Sequence, residues 1–269
     1  MKKKRVDELL LEQHLIDSIE EAQSHILAGN VFTTKEVKIL TAGEKLPIDT
    51  ELYIKGLEKK YVSRGGLKLE KAIETFQLEL KNKVVLDIGA STGGFTDVSL
   101  KNGAKLVYAL DVGTNQLAWE LRTHNQVVVM EKTNFRHSKL EDFKEGQPEL
   151  ATIDVSFISL ELIFPPLYPI LKNKGEVVAL IKPQFEASKE DVGEGGIVKD
   201  PAVYREVLEK VIQFAKDQAF ILQDLTISPI TGSKGNIEFL AYFIKDGIEK
   251  VAPKEMIDSV LENIESFDI

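Results

Sequence analysis

Several residues in this chain have types and spacings suited to chemistry. The segment Gly89-Ala90-Ser91-Thr92-Gly93-Gly94 directly follows the apolar run Val84-Val85-Leu86-Asp87-Ile88. Its glycines permit positive φ and leave no Cβ to hold a bound molecule away. Asp111 closes the next apolar run, Leu106-Val107-Tyr108-Ala109-Leu110, where an acid can accept hydrogen bonds from ribose hydroxyls. Asp154 and Lys182 end two later apolar runs, and Pro183 stops the second from donating further, holding Lys182 at its rim. Lys68 lies in Ser63-Arg64-Gly65-Gly66-Leu67-Lys68 at a helix start, and Glu238 sits in the apolar stretch Asn236-Ile237-Glu238-Phe239-Leu240, where a carboxylate is costly unless paired. Each alone is compatible with a structural ion pair. Two lysines and two acids at element ends near one glycine turn point to a site.

The turn admits more than one ligand. Its Gly-x-x-x-Gly-Gly spacing departs from the Gly-x-Gly-x-x-Gly dinucleotide fingerprint and is closer to an S-adenosylmethionine loop, where no pyrophosphate needs a cradle. Gly89-Ala90-Ser91-Thr92-Gly93 also fits the Gly-x-Ser-x-Gly nucleophile elbow, which expects a later histidine. The only downstream histidines are His124 and His137, and roughly the last half of the chain, beyond His137, has none. A purely structural turn stays open at this stage, and no Gly-x-x-x-x-Gly-Lys-Ser/Thr is present for a P-loop.

From residue 67 onward the pattern alternates strands and helices. Strands are predicted near 84–88, 106–110, 127–130, 150–154, 176–182, 220–228 and 237–244, with helices near 67–76, 95–102, 158–172 (interrupted by Pro165 and Pro166) and 201–217. Such alternation predicts an α/β fold: a mostly parallel seven-stranded sheet with helices on both faces, its last two strands forming an antiparallel edge hairpin. In such a sheet ligands sit at the carboxyl ends of the strands, where Asp111, Asp154 and Lys182 fall. The first part reads as a small α+β unit. Helices are predicted at 5–13 and 18–28, the second opened by Ser18 with Glu21 as a capping box and closed by Gly29. Short strands follow at 31–32, 37–40 and 52–54, with a turn at 43–47.

Composition narrows the functional classes. At 269 residues and 43% hydrophobic, the chain can bury one substantial core plus a small second domain. Its longest apolar runs fall far short of the ~20 residues a membrane helix needs. The basic start leads into acidic residues rather than an apolar core, unlike a signal peptide. Zero cysteines remove disulfides and thiolate metal sites and fit a reducing, cytoplasmic setting, and the four histidines lack metal-ligand spacing, so no metal is expected. The net charge of −9 is carried wholly beyond residue 64. The first 64 residues are neutral overall yet locally basic, with Lys2, Lys3, Lys4 and Arg5 clustered and Lys35, Lys38 and further lysines following. That is compatible with a phosphate-facing patch or with a solvated lysine-rich surface.

These motifs resemble the TlyA, or haemolysin-A-like, family of ribosomal RNA methyltransferases. The markers span nearly the whole length: Tyr61-Val62-Ser63-Arg64-Gly65-Gly66-x-Lys68-Leu69, Asp87 to Asp97, Asp111-Val112-Gly113, Asp154 to Leu160, Ile181-Lys182-Pro183-Gln184-Phe185-Glu186 and Gly195 to Asp200. The resemblance implies an S-four-type RNA-binding domain (1–58), a linker (59–62) and an FtsJ-like, Rossmann-like methyltransferase domain (63–269). One departure is Ser18-Ile19-Glu20, where S-four-type domains usually carry Ser-Arg. Lys68, Asp154, Lys182 and Glu238 match the Lys-Asp-Lys-Glu tetrad of 2′-O-ribose methyltransferases. The implied activity is S-adenosylmethionine-dependent 2′-O-methylation, at cytidine, of ribosomal RNA in ribosomal subunits. Lys182, crowded by Lys68, is expected to orient or deprotonate the hydroxyl, Asp154 to hold Lys182 and approach the cofactor, and Glu238 to anchor Lys68. Cofactor contacts are expected from Gly89, Ser91, Thr92, Gly93, Gly94, Phe95, Asp111 and Asp154, with Asn134 and Phe135 bordering the adenine. RNA contacts are expected from Lys2, Lys3, Lys4, Arg5, Lys35, Lys38 and Arg64. A membrane-active haemolysin would need an amphipathic or long apolar segment beyond ordinary core helices. A binding-only protein of this fold would not need the intact tetrad.

Overall fold

The structure, a computed structural model, describes residues 3–13, 15–16, 18–48, 50–56, 60–232 and 235–264. The chain divides into two compact units, Met1–Lys60 and Tyr61–Ile269. In the first, β1 (Lys3–Arg5) pairs antiparallel with β3 (Lys45–Pro47), and β2 (Val31–Thr33) pairs antiparallel with β4 (Leu52–Ile54). Helices α1 (Val6–Glu12) and α2 (Ile19–Leu27) bury Val6, Leu9, Leu10, Ala22 and Ile26 with Val31 and Ile54, the i, i+3, i+4 stripe that turns a short helix toward a core. Ser18 Oγ accepts from Glu21 N at 3.1 Å, as a cap should. Two expectations change. The predicted strand at 37–40 makes only an isolated bridge, Phe32 to Lys38, and the predicted turn at 43–47 ends in β3, which finds a partner in the basic start of the chain.

In the second unit, β5 (Val84–Ile88), β6 (Leu106–Leu110), β7 (Val127–Met130), β8 (Leu150–Ile153), β9 (Glu176–Ile181), β10 (Phe220–Ile227) and β11 (Phe239–Lys245) form one sheet in the order β10-β11-β9-β8-β5-β6-β7. The first five strands are parallel, whereas β11 is antiparallel to both β9 and β10, giving the expected edge hairpin. All five residues of β5 are buried because helices cover both faces. Val84, Leu86 and Ile88 join the larger core beside α6 (Phe164–Ile170), α8 (Pro201–Asp217) and α9 (Pro253–Glu262), and the short helices α5 (Trp119–Arg122) and α7 (Pro183–Glu186) complete the series. Val85 joins the opposite core beside α3 (Gly66–Phe76) and α4 (Gly94–Lys101).

The predicted helix over 158–172 is a 3₁₀ turn, Leu160–Leu162, followed by α6, so Pro165 and Pro166 begin a helix rather than interrupt one. Their missing N–H groups fall in the first turn, where no partner is required. Glu238 precedes β11 instead of lying within it, and Asp154 and Lys182 stand one residue beyond β8 and β9. The strand order reverses at β5, with β6 on one side and β8 on the other. A crevice at the carboxyl ends of those strands is where this topology places a ligand.

Candidate active site

The glycine turn leaves β5 at that crevice. Gly89 has φ +88°, and a Cβ there would meet Asp154 O at 2.5 Å, so the absence of a side chain lets the turn lie against the end of β8. Gly94 serves another close approach: a Cβ would meet Gly66 N at 2.8 Å. The start of α3 is thereby seated on the start of α4, and Val62 N donates to Asp97 Oδ2 at 2.9 Å beside it. This packing brings Lys68, on the first turn of α3, over the strand ends.

Four side chains expected to act together meet there. Lys182 Nζ lies 2.5 Å from Asp154 Oδ1, Lys68 Nζ lies 3.5 Å from Asp154 Oδ2, and Lys68 Nζ lies 2.7 Å from Glu238 Oε2. The signs alternate along the row Lys182, Asp154, Lys68, Glu238, and the group is neutral as a whole. Side-chain exposures of 9% for each lysine, 20% for Asp154 and 2% for Glu238 make that neutrality necessary, since an unpaired charge at such depth would be very costly. The lysines were expected to crowd each other; the Asp154 carboxylate lies between them instead. Burial opposes ionisation of Asp154, but the ammonium groups of Lys68 and Lys182 outweigh it and hold the carboxyl below its ordinary range.

Two cavities meet at this row. A polar one of about 270 Å³ is lined by Lys68, Lys182, Glu238, Arg64, Gly94 and Phe95 among others. A more apolar one of about 340 Å³ is lined by Leu110, Asp111, Val112, Asn134, Phe135 and Ile163 among others. Gly89, Ser91, Asp154 and Ser156 line both. The second is within the size range of small-ligand clefts, apolar with a few convergent polar groups. Asp111 is held at its edge by Ser91 N (2.8 Å, to Oδ2) and Gly113 N (2.7 Å, to Oδ1), leaving further lone pairs on its carboxylate for a ligand's hydroxyls.

Two residues expected at the cofactor line neither cavity. Thr92 is exposed, and its carbonyl accepts from Ala118 N at 3.1 Å; Gly93 lies under Leu117, whose Cδ1 would be 2.8 Å from a Cβ at Gly93. Arg64 Nη2 donates to Thr231 O at 3.2 Å. Of the basic residues in the first unit, Lys3, Lys35 and Lys38 are exposed, while Lys4 pairs with Glu12 at 2.6 Å and Arg5 with the buried Asp7 at 2.6 Å. Lys2 lies outside the described residues.

Sequence reasoning missed several participants. Ser156 Oγ accepts from Lys182 Nζ at 3.2 Å, because the turn after β8 doubles back beside Asp154. Glu186 joins the turn that follows Lys182 to the loop that follows Asp154, accepting from Ser159 Oγ at 2.7 Å and Leu160 N at 2.8 Å. Asp87, fully buried beneath the glycine turn, accepts from Thr96 Oγ1 at 2.7 Å and Thr152 Oγ1 at 3.2 Å, and desolvation pushes its carboxyl up to about 7. Among the described residues, no group of three or more His, Cys, Asp or Glu could hold a metal ion, and no helix is long and apolar enough to cross a membrane.

The family model for FtsJ-like methyltransferases matches residues 61–245, the span that carries the sheet and all four clustered side chains. The chain belongs to that family. It is 47% identical to "Hemolysin A" of Brachyspira hyodysenteriae over 89% of this chain and 99% of that protein. It is 36% identical to the "16S/23S rRNA (cytidine-2'-O)-methyltransferase TlyA" of Mycobacterium tuberculosis over 95% of each. A solved structure from Streptococcus thermophilus, described as a hemolysin, covers 99% of this chain and 98% of its own at 49% identity, with a TM-score of 0.80. The FtsJ-like assignment thus covers the second unit as far as residue 245, while these relatives extend into the first as well.

Proposed function

We propose that this protein transfers the methyl group of S-adenosylmethionine to a ribose 2′-hydroxyl of ribosomal RNA, at a cytidine. The observation that carries the proposal is the Lys182–Asp154–Lys68–Glu238 row at the meeting point of an apolar and a polar cavity. It agrees with the activity named for the Mycobacterium tuberculosis relative. When bound, S-adenosylmethionine supplies an electrophilic methyl on a sulfonium. Asp111 and Asn134 would hold its adenosine part, with Gly89, Ser91 and Asp154 toward the charged end.

The chain's own groups then have separable tasks. Lys182 Nζ has three donor positions, of which Asp154 Oδ1 and Ser156 Oγ take two. The third is directed to the incoming hydroxyl oxygen, fixing the direction of its lone pair. Positioning of this kind is worth up to roughly 7–11 kcal/mol. Lys182 thus acts as a charged donor that orients the hydroxyl, whose proton would pass to water as the oxygen takes up the methyl group. Glu238 and Lys68 keep Asp154 in place without contacting the hydroxyl.

We assign residues 1–58 to holding RNA, 59–62 to a linker and 63–269 to methyl transfer, in the cytoplasm where ribosomal subunits are found. The division of the chain after Lys60 and the exposed Lys3, Lys35 and Lys38 support that assignment. The test is incubation with labelled S-adenosylmethionine and ribosomal subunits, followed by digestion of the RNA. Labelled 2′-O-methylcytidine is expected. Lys182→Ala should abolish it while S-adenosylhomocysteine still binds; turnover retained by that variant would sink the role given to Lys182.

A further inference from the structure

Glu131 immediately follows β7, and no motif singled it out. Its carboxylate accepts from three successive backbone amides, Asn115 N (3.0 Å, to Oε2), Gln116 N (3.1 Å, to Oε1) and Leu117 N (3.5 Å, to Oε1), and from Arg122 Nη2 at 2.5 Å. Its side chain is 13% exposed. A row of amide donors from one loop is an anion-binding arrangement, and here the protein fills it with its own carboxylate. The Arg122 guanidinium and the three amides hold the Glu131 carboxyl well below its ordinary range despite partial burial, so these bonds are charge-assisted at neutral pH.

The loop so held reaches both sides of the apolar cavity. Val112 and Gln116 line it directly. The next two residues brace the glycine turn: the Leu117 side chain lies over Gly93, and Ala118 N donates to Thr92 O at 3.1 Å. Lys132 N donates to Gly113 O and Thr133 N to Asp111 O, both at 3.0 Å, so the segment that begins with Glu131 also grips the far end of the loop. Asn115 has φ +56°, a left-handed conformation that needs its surroundings to fix it.

We propose that Glu131 is the positioning residue of the cofactor pocket, setting the 112–118 loop in the form that walls the apolar cavity and supports the glycine turn. It touches neither cofactor nor substrate. The inference rests on the cofactor reading above and adds a determinant of cofactor affinity that is remote from the methyl-transfer row. Glu131→Gln keeps the size of the side chain but presents an N–H₂ group either to the Asn115 amide or, with the amide flipped, to those of Gln116 and Leu117 and to Arg122. If the loop then holds the competent form in about a tenth of the molecules, apparent affinity falls about tenfold.

The experiment is calorimetric titration of the full chain with S-adenosylhomocysteine, together with turnover on ribosomal subunits at rising S-adenosylmethionine. Expected for E131Q are a Kd and a cofactor KM raised about tenfold, with kcat at saturating cofactor within about twofold of the wild type. A folded E131Q with unchanged Kd overturns the inference, as does a kcat that stays low at saturation. Should E131Q fail to fold, Arg122→Gln removes one of the four donors and should raise Kd by a smaller factor; unchanged binding by R122Q would then overturn it. A wild-type chain that binds no S-adenosylhomocysteine overturns the cofactor reading itself, and that failure is separate because it appears before any substitution.

Discussion

Replacing Asp87 with Asn should change how stability depends on pH. Asp87 is fully buried on the central strand β5, with two threonine hydroxyls as its side-chain partners and no cation beside it among the described residues. Desolvation pushes its carboxyl up to about 7, against 3.8 for an unperturbed aspartate. Between those values the folded chain holds a proton that the unfolded chain has released. Stability therefore falls as pH rises from about 4 to 7, and the full cost persists above 7. The gap corresponds to roughly 4 kcal/mol. Asn cannot ionise, while its amide still offers an acceptor to one threonine and a donor to the other. The difference in unfolding free energy, D87N minus wild type, should therefore rise by roughly 4 kcal/mol from pH 4 to pH 8. Urea titrations followed by circular dichroism at several pH values measure it, and other carboxylates cancel because both proteins carry them. Parallel stability curves across the range would refute the claim that the fold desolvates this carboxylate.

Glu238→Gln should strand Lys68 with only Asp154, 3.5 Å away, at a depth where breaking an ion pair costs roughly 3–5 kcal/mol. A lower melting temperature together with slower methyl transfer is expected, and an unchanged turnover rate would show that Lys68 needs no anchor. In the first unit, Lys35→Ala and Lys38→Ala should each lower the salt dependence of RNA binding by about one ion if those exposed lysines meet phosphates. Filter binding over a range of salt reads this directly, and identical slopes would remove both from the interface.

The residues that were legible in the sequence are those whose position follows from the ends of strands or helices. Lys68 and Glu238 are 170 positions apart and Lys68 and Asp154 are 86 apart, yet both pairs meet. In a parallel sheet the chain returns to the same edge after each helix, so the residues that close β5, β6, β8 and β9 converge however long the connections are. Glu238 needed one more condition, that β11 run antiparallel beside β9, because only then does the start of a strand face the carboxyl edge. The apolar run with no helix between the last two strands carried that information. The smaller unit was less legible because its strands are three residues long and pair across the chain: nothing in Lys3-Lys4-Arg5 announces a strand until Lys45–Pro47 lies beside it.

Glu131 and Thr92 show where this reasoning stops. A glycine-rich turn suggests that every residue in it faces the ligand, but the turn also needs support from behind. Thr92 and Gly93 are spent on that support, held by Ala118 and Leu117. The anchor of that supporting loop is a carboxylate on a different strand end, and its three amide partners depend on the path of the backbone between Asn115 and Leu117. Side-chain identity enters this arrangement twice, at Glu131 and at its cation, Arg122. A backbone amide carries no residue type, so a site built on amides leaves one ion pair as its trace, whereas one built on side chains leaves a pattern. The Lys182–Asp154–Lys68–Glu238 row belongs to the second kind, and the wall of the apolar cavity belongs largely to the first.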